Sequence, residues 1–126
     1  MNKRLGKLAT VVAPHNSIDQ VVRRMAKESR KVVHAGLAVV LDGDDVLLGI
    51  MTDGDIRRAY NRNIDFSQPV SEVMIRNPVT IPATILDNDV ASEVIKRVQL
   101  DGRHHAEWVR HVLLVDERGR LINIVD

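Results

Sequence analysis

One pattern of strand, helix, strand and strand occurs twice within 126 residues, and that repeat leaves few folds open to the chain. A repeat unit cannot bury its apolar face alone, so each copy must complete a small sheet and dock to a neighbour. The first copy opens with Ala9-Thr10-Val11-Val12, a β-type run stopped by Pro14. Asn16 or Ser17 is placed to cap a helix. Ile18, Val21, Val22 and Met25 recur at helical spacing, with Arg23, Arg24 and Lys27 on the other face. That helix is expected to fade near Lys31. Gly36-Leu37-Ala38-Val39-Val40-Leu41 is a continuous apolar run of strand length, and Asp42-Gly43-Asp44-Asp45 reads as a turn. Residues 46–51 form a second strand, antiparallel to the first, and residues 53–63 a second helix.

A connector over residues 61–69 carries Phe66 as an anchor, and Val70-Ser71-Glu72-Val73-Met74 suits a single helical turn. The pattern then restarts with Pro78-Val79-Thr80-Ile81-Pro82. Asp87, Asn88 or Asp89 caps a helix in which Ala91, Val94, Ile95 and Val98 match Ile18, Val21, Val22 and Met25. A polar loop or frayed helix over residues 100–110 precedes the strand Val112-Leu113-Leu114-Val115, the turn Asp116-Glu117-Arg118-Gly119 and a last strand over residues 121–125. The two units are expected at residues 8–65 and 66–126. Leu48-Gly49-Ile50-Met51-Thr52 aligns with Ile122-Asn123-Ile124-Val125-Asp126, so the second copy stops where Thr52 stood in the first. It has no closing helix and no counterpart of Asp55. The expectation is a fragment cut at the last strand, or a sheet covered by another chain.

Composition narrows the partners. Eighteen basic residues offset 17 acidic ones, which argues against a nucleic-acid or membrane-surface role. The aromatics are Tyr60, Phe66 and Trp108 alone, so the core must be aliphatic and no base-stacking surface is expected. The lack of cysteine removes disulfides, thiolate zinc sites and thiol nucleophiles. No apolar run approaches the ~20 residues of a membrane span, and no signal-peptide core follows Met1-Asn2-Lys3-Arg4-Leu5. A soluble, cytoplasmic protein is the expectation.

The chemistry concentrates in residues 49–58. An apolar strand ends there, turns through Thr52, Asp53, Gly54 and Asp55, and continues into a helix carrying Arg57 and Arg58. Such a junction adds free backbone N–H groups and a partial positive charge to the side chains it presents. Asp55 offers two acceptor oxygens to a cis-diol. Thr52 has a hydroxyl to donate to a phosphate oxygen, and Arg57 or Arg58 suits bidentate phosphate pairing. The same residues also serve as a plain helix cap and a solvated face. No two of His104, His105 and His111 have the i, i+4 spacing of paired ligands on one helix face, so no metal site is expected. Trp108 reads as a loop anchor or dimer contact, and His15 and His34 lie at element ends. Catalysis has little support: there is no Ser-His-Asp elbow and no Gly-rich phosphate loop. Asp53 and Asp55, beside two arginines, read as ionised and structural rather than as an acid–base pair.

The tandem repeat, the closing Gly49-x-x-Thr52-x-x-Asp55, the Met74-x-x-x-Pro78-Val79-Thr80 lead-in and the Val115-Asp116-x-x-Gly119 turn together resemble a pair of CBS domains, or Bateman module. The resemblance covers about residue 8 to residue 126. The run Thr52-Asp53-Gly54-Asp55-Ile56-Arg57-Arg58 followed by Pro69-Val70-Ser71-Glu72-Val73-Met74 looks most like CBS pairs fused to sugar-nucleotide enzymes. One such host is a nucleoside-diphosphate-sugar pyrophosphorylase (a nucleotidyltransferase) preceded by the pair. The other is a sugar-phosphate isomerase followed by it. A pair that starts almost at Met1 favours the first.

The resemblance implies an α/β fold of two βαββα-type units with pseudo-two-fold symmetry, the second truncated. It implies an adenine nucleotide (AMP, ADP or ATP) between the units, a homodimer, and regulation of an attached or partner enzyme, with no required cofactor. It gives Thr52 to phosphate or ribose and Asp55 to the ribose hydroxyls, and it matches Val79, Thr80, Ile81, Val112 and Leu113 to the adenine. The second site is in question, because position 126 is Asp where the pattern asks for Thr or Ser. The expected function is a non-catalytic sensor. The alternatives are a ligand-free dimerisation module and the regulatory part of a nucleotidyltransferase whose catalytic domain lies C-terminal. A ligand-free module is expected to keep its melting temperature on Asp55→Ala, with or without AMP or ATP.

Overall fold

The structure is a computed structural model and describes residues 4–84 and 111–125. The chain divides into two compact units, Met1–Pro78 and Val79–Asp126.

In the first unit, α1 (Leu5–Leu8) leads into β1 (Thr10–Val12), α2 (Ile18–Glu28), β2 (Leu37–Leu41), β3 (Leu47–Thr52), α3 (Asp53–Asn61), a 3-10 turn (Val70–Glu72) and β4 (Ile75–Arg76). The sheet order is β1-β2-β3-β4, with β1 parallel to β2 and the other pairings antiparallel. A parallel neighbour needs a crossover, and α2 supplies it. All five residues of β2 are buried, as its continuous apolar run requires for a central strand. Ala38 and Val40 of β2 join Val12, Met51 and the buried face of α2 (Ile18, Val21, Met25) in one aliphatic cluster.

Ser17, rather than Asn16, caps α2 and does so reciprocally. Its hydroxyl accepts from the Gln20 amide at 3.0 Å, while the Gln20 side chain accepts from the Ser17 amide at 2.9 Å. Asn16 instead accepts from the Ala13 amide. The helix ends at Glu28, short of Lys31. Arg24 does not lie free on the solvent face. It donates to the carbonyl of Val11 and pairs with Glu28 at 3.0 Å.

Residues 64–76 run back along this unit as a strap. The Phe66 carbonyl accepts from the Asp19 amide and that of Gln68 from the Ile18 amide, both at 2.9 Å. Val70 is buried, and Phe66 packs on the aliphatic cluster as the expected anchor. The strap closes as β4, an edge strand that the sequence reading did not contain, as it did not contain α1. Residues 66–78 therefore lie on the first unit.

The second unit repeats the sheet as β5 (Thr80–Pro82), β6 (Val112–Val115) and β7 (Leu121–Val125), in that order, parallel and then antiparallel. Its hairpin copies the first one in detail. Asp42 and Asp116 each take two turn amides on Oδ1, and each hairpin skips one residue just beyond, at Leu48 and at Ile122. Gly49 opposite Val40 corresponds to Asn123 opposite Leu114. The expected helix after Asp87-Asn88-Asp89, the segment with His104, His105 and Trp108, and Asp126 lie outside the described residues. The α/β expectation holds for both sheets.

Candidate functional site

β3 and α3 meet without a spacer, so the last strand residue is also the helix cap. Thr52 is extended (φ −109°, ψ 169°), and its hydroxyl accepts from the Asp55 amide at 3.3 Å. Asp55 answers with Oδ2, which accepts from both the amide and the hydroxyl of Thr52 at 2.9 Å. Asp thus takes the part usually given to Glu or Gln in a capping box. Its other oxygen, Oδ1, accepts from Arg58 at 2.6 Å. The Asp55 side chain is 11% exposed and that of Arg58 is 68% exposed. The carboxylate is therefore a held, nearly buried group under a solvent-facing guanidinium.

Two glycines shape the junction. Gly36 precedes β2 at φ +82°, and its carbonyl accepts from the Asp53 amide at 3.1 Å. A Cβ on Gly36 would stand 2.6 Å from Asp53 Oδ2. Gly54 lies beneath Arg58, where a Cβ would meet the two terminal nitrogens at 3.2 and 3.3 Å. The sequence reading had Gly54 in the turn and Gly36 at the head of a strand, but gave neither a part in shaping the site. The signal for Gly54 was its place in the first helical turn, where Ala would be the better helix former.

The structure brings Thr52, Asp55 and Arg58 together. Arg57 is exposed and has no ion pair among the described residues. In the second unit, Thr80 lies beside Leu113 and Ile81 beside Leu114 across the parallel pair. Ile81, Val112 and Leu113 are buried. Thr80 lines an open cavity of about 550 Å³ with Thr84, Asp116, Arg118 and Arg120. Among the described residues no group of His, Asp and Glu is placed to hold a metal ion. No described helix is long and apolar enough to cross a membrane.

The CBS domain matches the chain twice, over residues 7–62 and 70–126. The chain belongs to the CBS domain family. It is a tandem CBS pair. It is 28% identical over 115 residues to the arabinose 5-phosphate isomerase KdsD of Yersinia pestis, which covers 90% of this chain and 30% of that protein. The chain thus spans under a third of that relative's length. Among solved structures, a CBS-domain containing protein from Agrobacterium tumefaciens is 27% identical, with a TM-score of 0.64 over 98% of this chain and 87% of that one. A CBS domain protein from Pyrobaculum aerophilum, complexed with AMP, is 23% identical, with a TM-score of 0.68 over 94% of this chain and 80% of that one.

Proposed function

We propose that this CBS pair is a regulatory, non-catalytic module that binds an adenine nucleotide (AMP, ADP or ATP) through the group Thr52, Asp55, Arg57 and Arg58. The observation that carries the reading is the Asp55 carboxylate, fixed by two bonds from Thr52 and nearly buried under the exposed Arg58 guanidinium. A rigid acceptor suits a ribose diol, and exposed guanidinium groups suit phosphate. The AMP complex of the Pyrobaculum aerophilum relative supports the ligand class. Val79, Thr80, Ile81, Val112 and Leu113 are proposed to hold the adenine.

The regulated enzyme is proposed to act on a sugar phosphate. Isomerase relatives such as KdsD support that host over a nucleotidyltransferase. Regulation requires that the nucleotide distinguish two states of the module, and a homodimer is the proposed assembly.

One observation favours a second reading, a ligand-free structural module: each oxygen of Asp55 already has a protein donor. A thermal-shift titration with AMP, ADP, ATP, GTP and S-adenosylmethionine separates the two. A ligand of the native state at about 100 times its Kd adds ~2.7 kcal/mol of stability. A saturable rise with an adenine nucleotide is expected. No rise with any of them at millimolar concentration would leave the structural reading.

A further inference from the structure

We propose that Arg58 is an exchangeable counter-ion, which closes Asp55 in the unliganded protein and moves to the phosphate when a nucleotide binds. The proposal rests on the nucleotide reading given above and adds to it a source of preference for phosphorylated ligands. Its basis is the near-filling of Asp55, which already accepts three bonds. Oδ2 is taken twice by Thr52, so the one oxygen open to exchange is Oδ1, and Arg58 covers it at 2.6 Å. A carboxylate has about four acceptor positions, so a ribose diol that donates two bonds finds one of them free and takes the other by displacing the guanidinium.

That displacement is cheap. Arg58 is 68% exposed and sits three residues from Asp55 on the helix, and exposed helical pairs of this kind shift equilibria by about twofold. The Thr52 contacts, held by an amide and a short hydroxyl side chain at the cap, have no such freedom. The displaced guanidinium finds an equivalent partner in a phosphate, which it engages bidentately, whereas a nucleoside without phosphate offers it nothing. Phosphorylated ligands therefore recover what opening costs, and adenosine does not.

Gly54 is the second observation. The guanidinium lies over a residue with no side chain, and a Cβ there would come within 3.2 Å of it. A methyl group there would press on the guanidinium, which must shift by a few tenths of an ångström. Gly54→Ala crowds the closed position while leaving the charge of Arg58 in place.

The test is calorimetric titration of AMP and of adenosine into the wild-type chain, Arg58→Gln and Gly54→Ala. For Arg58→Gln, AMP affinity is expected to fall about tenfold with the lost charge-assisted pair, and adenosine affinity to rise about twofold. For Gly54→Ala, adenosine is expected to gain about twofold while AMP holds or improves. An Arg58→Gln protein that changes both affinities by one factor overturns the exchange and leaves the nucleotide reading standing. So does a Gly54→Ala protein that loses AMP as Arg58→Gln does. A wild-type chain that binds neither ligand defeats the nucleotide reading and the exchange with it.

Discussion

Asp55 gathers both donors of Thr52 onto one carboxylate oxygen, the amide and the hydroxyl each 2.9 Å from Oδ2. The bond network makes Asp55 part of the fold whether or not a ligand ever reaches it.

Asp55→Ala is therefore expected to lower stability in the absence of any nucleotide. It removes the acceptor for the Thr52 amide and hydroxyl and the anchor of Arg58, at a cost of about 1 kcal/mol for a lost cap interaction. The melting temperature should fall by a few degrees. This corrects the expectation that a purely structural module would tolerate the change. The readout that reports ligand binding is the loss of the AMP-induced shift in Asp55→Ala, measured against the variant's own unliganded melt by circular dichroism. An unliganded melt equal to the wild type would contradict the cap geometry.

Gly36→Ala is expected to be among the most damaging small changes in the first unit. The residue holds φ +82°, a region that costs an L-residue about 1–2 kcal/mol. The new methyl group would also stand 2.6 Å from the Asp53 carboxylate, where α3 begins. Asp53 must rotate away, and its backbone bond to the Gly36 carbonyl is strained with it. A total loss of about 2 kcal/mol in urea denaturation is expected, with hydrogen exchange faster at the start of α3. A change within about 0.5 kcal/mol, the range of a plain surface substitution, would show that the junction is looser than the structure has it.

Gly49→Ala tests the strap. A Cβ there would meet Met74 Sδ at 2.6 Å and the Ile75 carbonyl oxygen at 2.7 Å. Met74 can move, being unbranched and flexible. The carbonyl belongs to β4 and moves only if the strand does. The variant should lose about 1–3 kcal/mol as an overpacked site and should exchange the amides of residues 75 and 76 faster than the wild type. Unchanged exchange there would mean that β3 and β4 part less readily than the contact implies.

The repeat was legible because it is written in long apolar runs. β2 is a central strand buried on both faces, and such a strand leaves an unmistakable stretch, Leu37-Ala38-Val39-Val40-Leu41. α2 was legible from the spacing of Ile18, Val21 and Met25, all of which the structure buries. What escaped is short or tertiary. β4 has two residues and no pattern of its own, because pairing with Gly49 and Ile50 creates it. In the site, residue types announced Thr52, Asp55 and the arginines. No spacing rule told that Asp55 would spend one oxygen on Thr52 and the other on Arg58, or that Gly54 would lie beneath the guanidinium.

Acid should weaken the second hairpin through Asp116. Partial desolvation raises the pKa of this carboxyl, but the Arg120 amide and guanidinium and the Arg118 amide all favour its ionised form, and the net displacement is downward from 3.8. The bonds are short: 2.9 Å from each amide to Oδ1 and 2.7 Å from the Arg120 Nε to Oδ2. A carboxyl whose pKa is lower in the folded than in the unfolded chain binds fewer protons when folded. Its stabilisation is complete above the unfolded value, near pH 4, and is lost as pH falls through the folded one. Asp65, held down by the Ser67 amide and hydroxyl, acts in the same direction and window. Urea midpoints at pH 7, 5 and 3 should therefore drop more steeply between pH 5 and pH 3 for the wild type than for Asp116→Asn. Between pH 7 and pH 5 the two slopes should match, since Asp116 stays ionised in both the folded and the unfolded chain there. Parallel profiles across the whole range would show that the Asp116 carboxylate adds nothing to the hairpin.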